Sequence, residues 1–328
     1  MRFGLFIPQG WRQDLTGIDP REHWAVMRDL VRHADEGEAF ESVWVYDHFH
    51  AVPEPNGEAT HEAWSLMNAF AAITSRVRLG QMCTCMGYRN PAYLAKVATT
   101  ADVDSGGRVE MGIGAGWYEH EWLAYGYGFP SAGERIAMLD EGVQIMKQLW
   151  TNGVATFDGA HYTVAGAQLS PLPLQVDGPP LWIAGGGERK TLRIAAEHAQ
   201  YTNFDGTPEG FAHKSAVLAE HCAAIGRDPG EITRSANYNV VIGETEADVD
   251  DKFAWIEEHL SLTVPDKAAS TAEDLRRGPL VGTPEQVVGK LQELAGLGLE
   301  YAIAYFADAA YDRSSIELFE SQVIPELR

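Results

Sequence analysis

The sequence predicts an α/β protein of the (β/α)8 TIM-barrel class, with an enlarged insertion after the fourth strand and a polar loop before the eighth. Three observations lead there. Eight short runs rich in β-branched and aromatic residues alternate with longer amphipathic segments from end to end. A doubly wound sheet would usually have fewer strands. The turn after the first strand reads IPQGW, not the G-x-G-x-x-G of a dinucleotide-binding fold.

In order, strands are expected at residues 2–7, 42–46, 78–83, 108–113, 181–184, 201–204, 234–241 and 301–306. Amphipathic helices are expected at 23–34, 62–73, 92–103, 134–149, 190–199, 210–225, 247–259 and 284–294. Two connections exceed simple barrel loops. Residues 117–180 include a predicted hairpin, ATFDGAHYTV, turning at Asp158-Gly159. Residues 260–282 are polar and punctuated by Pro and Gly, and read as a loop able to act as a lid. With no internal repeat and no low-complexity tract, residues 1–328 read as one domain.

The chain has 328 residues, 45% hydrophobic and 22% charged, enough for a well-buried core. No run approaches the roughly 18 apolar residues of a membrane helix. The opening MRFGLFIPQG lacks the cleavage site of a signal peptide and reads as the first strand. Three cysteines, Cys83, Cys85 and Cys222, are too few for a disulfide framework, and a cytoplasmic location is expected. A net charge of −22 and a pI of about 4.8 argue against nucleic acid or an anionic membrane as partner. Any anionic ligand must then be held by a local site.

Function in a barrel collects at the C-terminal ends of the strands. The second strand ends in VWVYDHFH, placing Asp47, His48 and His50 at the mouth. Histidine titrates near neutrality and serves as acid, base or donor, and Asp47 could orient it or hold a hydroxyl. His48-x-His50 also has the spacing of a metallohydrolase ligand pair, but later strand ends offer too few further ligands, so no metal is expected. The third strand ends in LGQMCTCMGYRNP. Cys83-x-Cys85 has no second pair and reads as core packing, with Thr84 at the mouth, and Pro91 opens the next helix.

The fourth strand ends in GIGAGW. Gly112, Gly114 and Gly116 remove side chains on one face and permit close approach of a ligand or of another segment. The fifth ends in LWIAGGGERK. Gly185, Gly186 and Gly187 precede a helix expected to start near Glu188 or Arg189, whose free N–H groups would hold a phosphate. With aromatics at Trp11, Trp44, Trp117 and Phe204 expected around the mouth, these ends describe a planar, phosphorylated cofactor laid across a barrel.

At these residues the chain resembles the bacterial luciferase-like flavin and deazaflavin oxidoreductases, closest to the branch using coenzyme F420. The distinctive pieces are VWVYDHFH, SGGRVEMGIGAGWYEHE and IAGGGERKTLRIAAE, and the likeness runs nearly end to end. The resemblance implies coenzyme contacts from Asp47 and His48, with His48 as acid or base. It implies a bulge with a non-proline cis peptide between Met82 and Cys83, next to Thr84, beneath the ring. It places phosphate on Gly185–Gly187, assigns a neighbouring role to Asn203, and implies a homodimer. The glycines of GIGAG would leave room for the ring and Trp117 would close one side. Arg89, Arg189 and Lys190 are candidates for the anionic tail of F420.

One departure bears on substrate. The sugar-phosphate enzymes of the branch carry a glutamate directly after the strand-four glycines, where this chain has Trp117, so a sugar phosphate is disfavoured. The reading is hydride transfer between F420 and a small organic molecule. The alternatives are an FMN-dependent monooxygenase and, more remotely, a non-catalytic cofactor binder.

Overall fold

The computed structural model describes residues 1–328. In chain order its elements are β1 (Arg2–Phe6), α1 (Pro20–Glu36), β2 (Ser42–Val45), α2 (Ala63–Ala71), β3 (Arg78–Gln81), β4 (Thr84–Cys85), α3 (Pro91–Asp104) and β5 (Val109–Gly114). There follow α4 (Glu119–Ala124), α5 (Ala132–Asn152), β6 (Val154–Asp158), β7 (Thr163–Gln168), β8 (Leu181–Ala184), α6 (Thr191–His198), β9 (Tyr201–Asn203) and α7 (Pro208–Ile225). The last are β10 (Thr233–Ile242), α8 (Glu246–Ser261), α9 (Pro265–Arg276), β11 (Leu280–Gly282), α10 (Pro284–Gly296), β12 (Tyr301–Tyr305) and α11 (Ser314–Leu318). The fold is the (β/α)8 barrel, with β1, β2, β3, β5, β8, β9, β10 and β12 as its parallel strands. No helix is long and apolar enough to cross a membrane.

The chain divides into two compact units. The first comprises residues 1–61, 204–215 and 234–328. Its parallel ladder sets Arg2 opposite Tyr301, Gly4 opposite Ser42 and Ser235 opposite Tyr301. Gly4 is required there, because a Cβ would lie 2.4 Å from the Trp44 indole nitrogen. That nitrogen donates to Ser42 Oγ at 2.5 Å, and Ser42 meets the Tyr301 hydroxyl at 2.7 Å. Trp44 is therefore core, not part of the mouth as the sequence suggested. Phe204 is likewise buried, packed against Phe211 at 5.1 Å. Helix α1 starts where Asp19 accepts the Arg21 N–H and Pro20 takes the first position. It buries His23, Met27, Leu30, Val31 and Ala34, one face at helical spacing.

The stretch 260–282 is not a loop. Pro265 opens α9, which buries Ala268 and Ala272 with Val249, Phe253, Ile256 and Leu260 of α8. β11 then pairs with β10, Val240 opposite Leu280. Alanines at a four-residue spacing make a packing face without raising hydropathy, which is why the stretch reads as polar.

The second unit comprises residues 62–203 and 216–233. Its ladder sets Gly80 opposite Glu110, Thr84 opposite Ile113, Met111 opposite Leu181 and Trp182 opposite Tyr201. The first two pairings differ in offset, so the segment between β3 and β4 carries one residue more than β5. This is a bulge, and it interrupts the strand expected to run unbroken from 78 to 83. The enlarged insertion holds α4, α5 and the hairpin β6–β7. In the hairpin Asp158 pairs with Thr163, so the turn spans residues 159–162 and not the Asp158-Gly159 dipeptide. Glu141 of α5 accepts the N–H groups of Ala160, His161 and Tyr162 at 2.8, 2.9 and 2.9 Å. A helix carboxylate thus does what the two-residue turn was expected to do.

Candidate active site

In the first unit β2 runs directly into Tyr46, Asp47 and His48. Asp47 is buried and His48 half-buried. The His48 ring stacks on the Trp11 indole, with centroids 4.1 Å apart and planes 3° from parallel. Trp11 also abuts Tyr46 at 4.3 Å, and Tyr46 stacks on Phe6 at 4.2 Å. A sharp turn delivers Trp11 to this place. Gly10 has φ +98°, and a Cβ on it would lie 1.7 Å from the Ala59 carbonyl oxygen, so only glycine fits. Gln9 ties the turn down. Its amide oxygen accepts the Tyr46 N–H, and its amide nitrogen donates to the Tyr46 and His61 carbonyls at 2.8 and 2.9 Å.

Past the turn lie charged groups that sequence reasoning did not single out. Arg12 sits over the Tyr305 ring at 4.1 Å and donates to Asn239 at 2.5 Å. Asp14 accepts the Gly10 N–H at 2.7 Å and the Tyr305 hydroxyl at 3.2 Å. Burial pushes the Asp14 carboxyl above its usual range, against the Gly10 N–H and Arg12, which pull it down. Burial also pushes the Tyr46 hydroxyl up to about 12, so this phenol keeps its proton at neutral pH. Gln13 takes the left-handed conformation at φ 63°, uncommon outside glycine. Its amide donates to the Val52 carbonyl at 2.7 Å and its own carbonyl accepts from His259 Nε2 at 2.9 Å. The IPQGW turn was the available sign of all this. Its Gly-Trp pair marks a forced bend that presents an aromatic.

In the second unit the bulge between β3 and β4 holds a cis peptide between Met82 and Cys83, at the position the resemblance implied. The glycines of β5 answer to it. A Cβ on Gly112 would lie 1.9 Å from the Gln81 carbonyl oxygen, and one on Gly114 2.7 Å from Cys83 Sγ. One on Gly116, at φ +76°, would lie 2.4 Å from Cys85 Sγ. The space these glycines leave is filled by the chain's own bulge and thiols, which corrects the expectation that they clear room for a ligand. Thr84 is buried and its hydroxyl donates to Gln81 Oε1 at 2.7 Å. The Gln81 Nε2 atom is buried and has no partner.

The aromatic packed behind Gly116 is Trp122, not Trp117. Trp122 is buried against the Gly87 and Gly116 backbones, whereas Trp117 is 61% exposed and stacks on Tyr118 at 5.2 Å. Glu121 is wholly buried and accepts the Tyr88 hydroxyl at 2.9 Å.

After β8, Gly185 has φ +120° and its N–H donates to the Asn203 carbonyl at 2.8 Å. The same bond gives Asn203 a defined place next to the glycines. Helix α6 starts at Thr191, past the Glu188 or Arg189 expected to open it, and the Gly187 carbonyl accepts the Leu192 N–H at 3.0 Å. Gly186 and Gly187 donate their N–H groups to no backbone carbonyl, and Arg189 and Lys190 are exposed. Arg89 is engaged elsewhere, in an ion pair with Glu62 at 2.8 Å. The one set of ligand-type side chains close enough to share a metal is Asp140, Glu197 and His198, far along the sequence from His48 and His50. Arg193 already pairs with both of its carboxylates, at 2.9 and 2.7 Å.

The sequence pattern of luciferase-like monooxygenases matches residues 1–301. The chain belongs to the luciferase-like monooxygenase family. Among family relatives, the F420-dependent glucose-6-phosphate dehydrogenase of Nocardia farcinica is 28% identical over 338 residues, covering 97% of each chain. The pyrimidine monooxygenase RutA of Stutzerimonas stutzeri is 28% identical over 293 residues, covering 80% of this chain and 78% of its own. An F420-dependent secondary alcohol dehydrogenase, solved with an F420–acetone adduct, superposes with a TM-score of 0.79 at 21% identity over 100% of this chain and 99% of its own. That likeness bears on fold alone.

Proposed function

We propose that this luciferase-like protein is an oxidoreductase that moves a hydride between coenzyme F420 and a small organic molecule. The observation that carries the reading is the bulge at the end of β3. It sets the Met82–Cys83–Thr84 backbone beside a buried amide donor, Gln81 Nε2, that no protein group satisfies. A buried donor without an acceptor costs about 1–3 kcal/mol, and a ring rich in carbonyl and imine acceptors removes that cost. The N–H groups of Gly186 and Gly187 with Arg189 and Lys190 suit the coenzyme's phosphate and acidic tail. The residues present therefore fit a phosphorylated deazaflavin.

When bound, F420 supplies the hydride chemistry, accepting or donating it at C5. The chain's own groups do the rest. Met82, Cys83, Thr84 and Gln81 seat the ring, with Gly114 and Gly116 letting the bulge lie close to β5. Gly185 positions Gly186 and Gly187 through its bond to Asn203. His48, held flat on Trp11 and next to Asp47, moves a proton to or from the substrate oxygen. Burial keeps the Tyr46 and Tyr305 hydroxyls protonated, so neither of them competes with His48 as a base. Trp117, exposed on the segment after β5, would cover the bound ring.

The relative named a pyrimidine monooxygenase favours a second reading, an FMN enzyme that uses oxygen. Titration with F420 and FMN in parallel, read by tryptophan quenching, separates the two. Binding of F420 at least tenfold tighter than FMN is expected. Preferential FMN binding with oxygen consumption would replace this reading by the second. A homodimer and a cytoplasmic location complete the reading, and sedimentation of the purified chain tests the first of these.

A further inference from the structure

The first unit carries a cleft of about 130 Å³, lined in part by Arg12 and Asp14 of the loop after β1. Its walls come from Trp255, Ile256 and Leu260 of α8, Leu275 of α9, and Val52. That is close to the roughly 150 Å³ of an apolar cavity that admits one benzene ring. Three features give it a chemical preference. First, the walls are firm, because Ile256 and Leu260 belong to the buried α8–α9 cluster against which Trp255 and Leu275 pack. Second, three of the polar lining groups, Arg12, Asp14 and Tyr305, form one mutually contacting set. Third, Arg12 is already spoken for. It is shared between Asn239 at 2.5 Å and the face of Tyr305 at 4.1 Å, and it lies in the field of Asp14. His259, also in the wall, stacks on Trp255 at 4.8 Å and binds the Gln13 carbonyl at 2.9 Å.

A phosphate dianion entering here would lose its water and meet one compensated guanidinium among apolar walls, which is unfavourable. A neutral molecule with an apolar body and one oxygen acceptor meets the opposite balance. Its body is buried, and its oxygen reaches the polar side. His48 does not line the cleft and is linked to its polar side only through intervening side chains. Arg12 contacts Tyr46, Tyr46 abuts Trp11, and Trp11 carries His48.

We propose that this cleft is a small-molecule site that takes neutral, largely apolar alcohols or ketones in place of phosphorylated sugars. The proposal rests on the hydride-transfer reading for its chemistry, but its binding test does not need the coenzyme. The coenzyme-free full chain is titrated calorimetrically at fixed salt with acetophenone and with glucose 6-phosphate. Acetophenone is expected to bind at least tenfold more tightly. Thr271→Phe, which fills the α9 wall, is expected to raise the acetophenone Kd at least tenfold, and shape-conserving Thr271→Val to leave it within threefold. Should Thr271→Phe fail to fold, Trp255→Phe serves instead, and the saturable quenching of tryptophan emission by acetophenone should vanish. Glucose 6-phosphate binding as tightly as the ketone, or an unchanged acetophenone Kd in folded Thr271→Phe, overturns the proposal. Parallel titration with F420 keeps the two readings apart. Ketone binding without F420 binding leaves the pocket and removes the coenzyme; F420 binding without ketone binding does the reverse.

Discussion

The His48 imidazole and the Trp11 indole lie face to face, 4.1 Å between centroids and 3° from parallel. The stack fixes the plane in which His48 can deliver or take a proton. Removing a general acid or base costs roughly 10²–10⁴ in rate. His48→Gln is therefore expected to lower kcat by about that much while F420 affinity, read by fluorescence titration, stays within threefold. Trp11→Leu keeps the histidine but frees its ring, and a smaller loss, about tenfold, is expected. An unchanged kcat in His48→Gln would remove the proton-transfer role.

Gly114 and Gly116 form complementary pairs with the thiols of Cys83 and Cys85. Gly114→Ala would set a Cβ 2.7 Å from Cys83 Sγ, an overpacking that costs about 1–3 kcal/mol. Adding Cys83→Ala should recover part of that loss in urea melts, with a coupling of about 1 kcal/mol. Gly116→Ala should be rescued less by Cys85→Ala, because its φ of +76° remains unsuited to alanine. Strict additivity at position 114 would mean the thiol is not what the glycine accommodates.

Gln81 offers a test of the coenzyme seat. Gln81→Leu deletes the unpartnered Nε2 and also the Oε1 that accepts from Thr84. F420 affinity should fall about tenfold. Gln81→Glu keeps an acceptor for Thr84 but replaces the amide donor by a carboxyl oxygen that carries charge when ionised, and a fall of at least tenfold is expected. Retained affinity in both variants would take Gln81 out of the seat.

Helix α9 should behave as packed structure. Hydrogen exchange read by mass spectrometry is expected to show protection across residues 269–276, comparable to α8. Ala272→Asp, which puts a charge into the α8–α9 interface, should lose that protection first. Rapid exchange throughout the wild-type segment would restore the lid expectation.

Stability should depend on pH through His33. Its hydrogen bond to Glu320, at 3.0 Å, raises the imidazole above its ordinary value despite partial burial. A raised folded value gives stability that is complete below the unfolded value of about 6.5 and is lost as pH rises through the folded one. Both side chains are partly exposed, so the gain is at most about 1 kcal/mol. The Tm difference between wild type and Glu320→Gln should be larger at pH 5.5 than at pH 8.5.

The barrel was legible because strand and helix periods alternate so regularly. Leu181–Ala184 falls where it was expected, and most other strands shift by one residue at an end. Residues 260–282 were misread because α9 packs through alanines, which a hydropathy pattern does not weigh. At the candidate site, Asp47, His48 and the glycine runs were visible as strand ends. The meaning of Gly112, Gly114 and Gly116 was not, because a glycine records that something comes close without saying what. Here it is the bulge, a feature of register that only pairing reveals. Arg12 and Asp14 were passed over because a charged loop after a first strand looks like solvent-exposed chain.

Gln9 grips the Tyr46 backbone on both sides and reaches the His61 carbonyl, Gly10 lies against Ala59, and Val52 donates its N–H to the Trp11 carbonyl at 2.9 Å. The loops after β1 and β2 are thus a single interlocked piece. Neither can change length alone, so altered specificity is not reached by swapping one of them. A graft from a family relative would have to carry residues 8–16 and 46–61 as one cassette, and divergence at this end of the protein should proceed in paired steps.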